Sequence, residues 1–443
     1  MKNIKKLVII FLVVFAFLQF NPLKIYNNPK TQEQTYASSP QTFSADSESY
    51  VLGSLVEARQ FQFTAGLGRL ARLHYPEAED WFYNVQMTFK VFKEDLKYEG
   101  EYERYYSQLG GQGLLFRLMD VTLGDTNGVV KLQIMQIFNL LMLSLVITLI
   151  SYYLLKRFNL WVMIFFLIGT LVNQWIPLSS VNLYWVTWTM FLPMAISATY
   201  CLKENSTTKR KIIYMILLCL SILYRCSCGF EFISTILVAM MVPFIEYEVT
   251  HFKSLRKTFF NLLMPTISGI MGFFSCVVLQ ITRYMMEGWD FPSALKFFYT
   301  IIVKRTHGDL NKLGVHNEQL DMNLREPLGE VILKYFNASA FNIPVGTGFI
   351  EIKYWAIILI IVIFVIISII LFKKKKDRKI LALQAMTFVS FLAPMSWYII
   401  AKGHASAHLH LDPLLWHLPF IGIGLGLTGY SISLMFQLLK KNM

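Results

Sequence analysis

Cysteine and charge are both scarce in this chain. Five cysteines occur among 443 residues, and Asp, Glu, Lys and Arg together make up 16%, where soluble domains usually carry about 25%. Cys201, Cys219, Cys226, Cys228 and Cys276 all fall inside or at the ends of apolar stretches, so none can build a disulfide framework in polar loops. Cys226-Ser-Cys228 lacks the partner His or Cys that a zinc site needs and reads as packing. No nucleotide-binding motif occurs, and no His-Glu-x-x-His pattern. Acidic residues are outnumbered 28 to 41, for a net charge of +13. In a soluble protein that excess would point to nucleic acid, but the bases form no patch. They stand at Lys2/Lys5/Lys6, Lys156/Arg157, Lys203 with Lys209/Arg210/Lys211, Lys253/Arg256/Lys257, Lys373 to Lys376 with Arg378/Lys379, and Lys440/Lys441, each flanking an apolar run. That placement excludes a nucleic-acid partner.

Long apolar runs fill the space left by charge. Apolar residues make up 55% of the chain and the mean hydropathy is +0.47, which marks a bilayer as the solvent. About 20 apolar residues cross a hydrocarbon core of about 30 Å as a helix. Runs near that length occupy 7–26, 130–155, 160–176, 181–202, 212–228, 230–245, 259–281, 355–372, 380–400 and 414–439. The expected fold is an all-α polytopic membrane protein with about ten transmembrane helices. Alternating the runs across the membrane puts every basic cluster on one side, which the positive-inside rule makes the cytoplasm, with both termini there. The first run could be a signal peptide, but no A-x-A-like site follows it and Asn21-Pro22 ends a helix, so a retained anchor is expected.

The whole chain, 1–443, then reads as one transmembrane domain with two large outer loops, 27–129 and 282–354, and a short His-rich outer loop, 401–413. Structural connections need only a few residues, so function is expected in these loops. WFYNVQMTFKVF (81–92) and FPSALKFFYTIIV (291–303) read as interfacial helices, and 28–47 as a looser tether.

Four stretches could carry chemistry. In SADSESYVLGSLVEAR, Asp46 and Glu48 precede an apolar-periodic helix; they read either as N-terminal capping or as a carboxylate acting as general base toward a hydroxyl. In YYSQLGGQGLLFRLMD, Tyr106, Gln108 and Gln112 flank Gly110-Gly111 and Gly113, a turn that lets backbone approach a ligand while amides bond sugar hydroxyls; the alternative is a plain turn. In AKGHASAHLHLDPLLWHLPF, Lys402, His404, His408 and His410 gather with Asp412 and His417 at one mouth of the bundle. His404 and His408 share a helix face, and His408 and His410 share a strand face. Phosphate recognition, a divalent metal ion and a polar turn all stay open for them. Arg283, Lys304, Arg305 and His307 complete the set, as phosphate ligands or contacts to lipid headgroups. Arg225 and Glu231 are spaced for a hairpin salt bridge.

This layout resembles the GT-C superfold of membrane glycosyltransferases, which draw sugars from polyprenyl-phosphate or polyprenyl-diphosphate carriers. The resemblance is mainly topological: a large first outer loop with an acidic residue, a second large loop after the seventh span, and interfacial helices in both. It implies that Asp46 or Glu48 is the catalytic base and that Arg283, Lys304, Arg305, His307, Lys402, His404, His408 and His410 bind the lipid phosphate. It further implies that the partners are a polyprenyl-linked sugar and membrane lipids. In the family the acid commonly follows the first span at once as an adjacent pair; here about twenty residues intervene and Ser47 separates the acids. The Lys, Ile and Asn bias points to a bacterial cytoplasmic membrane, active face outward. Competing readings are a transporter or flippase, a polymerase or ligase of lipid-linked glycans, and a non-catalytic polysaccharide-assembly protein.

Overall fold

Hydrocarbon offers no partner for a backbone amide, so apolar runs fold as helices that satisfy themselves. The computed structural model describes residues 2–20, 40–78, 80–203, 207–307, 325–346 and 348–442. In chain order the helices are α1 (Lys2–Phe20), α2 (Pro40–Phe61), α3 (Trp81–Glu94), α4 (Gly111–Thr122), α5 (Gly128–Arg157), α6 (Leu160–Leu171), α7 (Trp175–Ser180), α8 (Trp188–Cys201) and α9 (Thr208–Cys228). There follow α10 (Ile233–Thr250), α11 (Leu255–Met286), α12 (Phe291–Arg305), α13 (Leu328–Asn337), α14 (Tyr354–Lys375), α15 (Arg378–Ile400), α16 (Lys402–Ala407) and α17 (Phe420–Asn442). Two antiparallel hairpins, β1 (Ala71–His74) with β2 (Glu101–Arg104) and β3 (Ser339–Val345) with β4 (Gly348–Lys353), interrupt an otherwise helical chain.

Among the described residues, eight helical stretches are long and apolar enough to cross a membrane. Two expected spans take another form. The run 160–176 breaks after Leu171, its last two residues opening α7, and 181–202 is helical only from Trp188. At 1.5 Å per residue α6 and α8 measure about 18 and 21 Å, short of the hydrocarbon thickness. Two asparagines stop them. Asn173 Oδ1 accepts from the N–H groups of Trp175 and Ile176, both at 2.9 Å, and Asn182 Oδ1 accepts from Tyr184 and Trp185 at 2.9 and 3.0 Å. Short side-chain amides compete with the helix for backbone donors, and hydropathy does not register them.

The basic clusters meet at one end of the bundle. Lys156 bonds Asn3 at 2.8 Å, Asn159 bonds Ser433 at 3.0 Å, Lys375 reaches Gln437 at 3.4 Å and Arg378 reaches the Thr250 carbonyl at 3.4 Å. Arg210 donates to the carbonyls of Thr199 and Tyr200, both at 3.1 Å. The start of α1 and the end of α17 therefore lie at this basic end. The opposite end carries α2, α3, α4, α12, α13, α16 and both hairpins. The expected helices at 81–92 and 291–303 are α3 and α12. The tether, apart from its last residues, and the close of the first run lie outside the described residues.

Helix α2 begins at Pro40, so Asp46 and Glu48 sit within it rather than at its N-terminus, which removes the capping role. Gly53 lets α2 rest on the first hairpin: a Cβ there would stand 2.3 Å from the Ala71 carbonyl oxygen.

Candidate functional site

A cavity of about 330 Å³ opens at the end opposite the basic clusters. Of its two acids, Asp46 and Glu231, the first comes from the second turn of α2. Arg72 on β1 holds Asp46 Oδ1 at 2.5 Å. The same guanidinium bonds Glu103, its cross-strand partner on β2, at 2.6 and 3.2 Å, and Tyr50 donates to Glu103 at 2.8 Å. Hairpin register thus places one cation between two carboxylates. Asp46 Oδ2 has no partner among the described residues. Burial and the Glu103 charge lift the Asp46 carboxyl above its ordinary value, with Arg72 pulling against them.

The facing wall comes from α12 and the turn before α10. Arg305 pairs with the buried Glu231 at 2.8 Å. Burial raises Glu231, but the Arg305 and Arg225 charges outweigh it and hold the carboxyl below its usual range. The same partnership raises Arg305 against its own burial. Lys304 lines the cavity beside it and makes no ion pair among the described residues. The expected Arg225–Glu231 bridge does not form. Arg225 donates to the Glu231 backbone carbonyl at 3.3 Å and to the Trp185 carbonyl at 3.2 Å, while Arg305 takes the carboxylate.

His404 and His408, on and just after α16, close the third side. Asp412 Oδ2 lies 3.1 Å from His404 Nδ1 and accepts from Trp397 Nε1 at 3.1 Å. The His404 and His408 rings are 4.2 Å apart. Burial and the neighbouring Arg305 push His404 down to about 3, burial and His404 push His408 down to about 3, and burial pushes His410 down to about 4. All three are neutral imidazoles at neutral pH, so they offer hydrogen bonds and the positive charge at the cavity belongs to Lys304 and Arg305. Tyr50, Tyr105, Tyr184 and Trp185 supply flat apolar faces, with Tyr50 and Tyr105 5.3 Å apart and Tyr184 and Trp185 5.2 Å apart.

The other residues singled out from sequence lie elsewhere. Glu48 is buried and accepts from the Leu183 N–H at 3.0 Å, bracing the segment that presents Tyr184 and Trp185. Tyr106 packs under Arg69 with the cation 4.6 Å from its ring centre, Gln108 is buried, and Gln112 donates to the Tyr184 and Cys228 carbonyls at 3.3 and 3.1 Å. Beyond β2 the chain turns at 106–108, and it is Tyr105 and Ser107 that line the cavity in their place. Arg283 donates to the carbonyls of Leu109, Gly66 and Leu67, binding α11 to the turns that follow α2 and precede α4. Lys402 donates to the Glu326 carbonyl at 2.9 Å, and His307 meets the Ile399 carbonyl. Among the described residues no three His, Cys, Asp or Glu side chains are grouped to hold a metal ion.

Sequence reading missed Glu231 as a cavity residue, and it missed the aromatic wall at 184–185 because those residues continue an apolar run. The polar interruptions Asn173 and Asn182 were the available signal. The arrangement can take a proton at Asp46, hold an anion at Lys304 and Arg305, and pack a ring against tyrosines. No protein-family model, curated protein or solved structure matches the chain, so the reading of this cavity rests on its geometry.

Proposed function

We propose that the chain is a membrane glycosyltransferase moving a sugar from a polyprenyl-phosphate or diphosphate carrier to a hydroxyl acceptor at the outer face. The observation that carries this reading is one cavity, at the end away from the basic clusters, holding a carboxylate with a free oxygen and two cations on the facing wall. Asp46 takes the acceptor's proton as its oxygen bonds the anomeric carbon. The carbon–oxygen bond to the carrier breaks, and Lys304 and Arg305 stabilise the departing phosphate, with neutral His404 and His408 donating hydrogen bonds. A separate apolar cavity of about 690 Å³, walled by Leu114, Leu118, Phe138, Leu279 and Met286, suits a lipid tail. One observation favours a transporter: irregular backbone at 182–187, between the short α6 and α8, borders the cavity.

The test uses purified protein in liposomes supplied with a panel of polyprenyl-phosphate sugars, reading release of free polyprenyl phosphate. Asp46→Asn should lower turnover by about 100-fold or more. Lys304→Gln should weaken donor binding by about tenfold, and Glu48→Gln should stay active. Full turnover in Asp46→Asn, or no release from any donor, would sink the reading and put the transporter ahead.

A further inference from the structure

Helices α9 and α11 come into close backbone contact where Gly272 meets α9. A Cβ on Gly272 would stand 2.4 Å from the Cys219 carbonyl oxygen and 3.0 Å from Ile222. Toward the basic end they part and leave a groove of about 530 Å³. One wall carries Lys211, Met215 and Cys219, the other Met264, Ser268 and Met271. The groove runs along α9 from Thr208 to Leu220, which at 1.5 Å per residue is about 18 Å, close to the depth of one leaflet.

Among the described residues that line the groove, the one charged side chain is Lys211. The Lys211 ammonium lines the rim and makes no hydrogen bond or ion pair among the described residues, and no described Asp or Glu lines the groove. Arg256 and Lys257, in the first turn of α11 at the same end, are exposed. An apolar slot one leaflet deep under an unpaired ammonium complements a lipid with an anionic headgroup, since a zwitterionic headgroup gives such a rim little net attraction. We infer that the groove between α9 and α11 is a binding site for an anionic diacyl phospholipid of the leaflet at the basic end, its chains between the helices and its phosphate on Lys211. The site lies apart from the Asp46 cavity and does not depend on the activity proposed for it.

The full chain, reconstituted in equal parts phosphatidylcholine and phosphatidylglycerol and then extracted into mild detergent, is weighed by native mass spectrometry for lipid retained. Wild type should keep phosphatidylglycerol in preference. Lys211→Gln should cut that preference by about fivefold. Ser268→Phe, which fills the slot from the opposite wall, should lower retention of the bound lipid with Lys211 intact. Lys374→Gln, at an exposed lysine of the same end, should change nothing. Equal retention of the two lipids by wild type, or an unchanged preference in Lys211→Gln, would overturn the inference. So would undiminished retention in a folded Ser268→Phe.

Discussion

Two residues along a helix are turned about 200° from one another, so Asp46 and Glu48 cannot face the same way. Asp46 meets the cavity and an arginine. Glu48 meets the Leu183 N–H and the Gln136 side chain, and burial raises its carboxyl from near 4.5 to about 7. A carboxyl whose folded pKa is raised holds its proton more tightly in the fold than in the unfolded chain. Its contribution is complete below about pH 4.5 and is lost as pH rises through about 7. At about 1.4 kcal/mol per unit, ionised Glu48 costs about 3 kcal/mol at alkaline pH. Glutamine keeps an acceptor for Leu183 and never ionises. Thermal unfolding in detergent should therefore show Glu48→Gln gaining on wild type between pH 5 and pH 8; an equal offset at both would mean that Glu48 is ionised throughout. Residue type and loop position named Asp46, Lys304, Arg305, His404 and His408, which line the cavity, together with Glu48, Arg283, His307, Lys402 and His410, which do not. Glu231 was not legible, because Arg225 is six residues away and Arg305, its actual partner, is 74.

At the scale of elements, α6 is held by glycine. A Cβ on Gly169 would lie 3.0 Å from Gly422 Cα and from the Ile421 carbonyl oxygen, and one on Gly429 would meet the Trp161 carbonyl at 2.8 Å. Small residues let helix backbones close to this range, and dispersion across the contact replaces the hydrophobic drive that lipid does not supply. Gly169→Val should lower stability by roughly 1–3 kcal/mol, read as an earlier thermal unfolding in detergent. Gly329→Ala, where an added Cβ meets nothing within 4 Å, is the control. Run length was a good guide to α5, α9, α11 and α14, whose apolar residues end in charge. It failed at 172–187, where Trp175, Ile176, Leu178 and Leu183 keep the hydropathy high while two asparagines redirect the backbone. The short hairpins were equally hidden, since four-residue strands such as Ala71–His74 have too little period to read.

Over the whole molecule, the segments that hold the short helices still run from end to end. Asn159, just before α6, bonds Ser433 of α17 at the basic end. Asn182, between α7 and α8, donates to the Ser44 carbonyl and hydroxyl of α2 at the other end, both at 2.8 Å, and the Arg210 contacts bring the close of α8 back. Lys97 and Lys374 are both exposed, and the fold puts them at opposite ends. If the basic end is cytoplasmic, as lysine-rich loops favour, a membrane-impermeant maleimide on intact cells should label Lys97→Cys directly. Lys374→Cys should be labelled only after permeabilisation. Cys201, Cys226, Cys228 and Cys276 are buried and Cys219 half-buried, so background labelling should be low. The reverse pattern would invert the chain and place the Asp46 cavity inside, where a donor on the outer leaflet could not reach it. Labelling of both positions from one side would mean that the two ends do not flank a membrane at all.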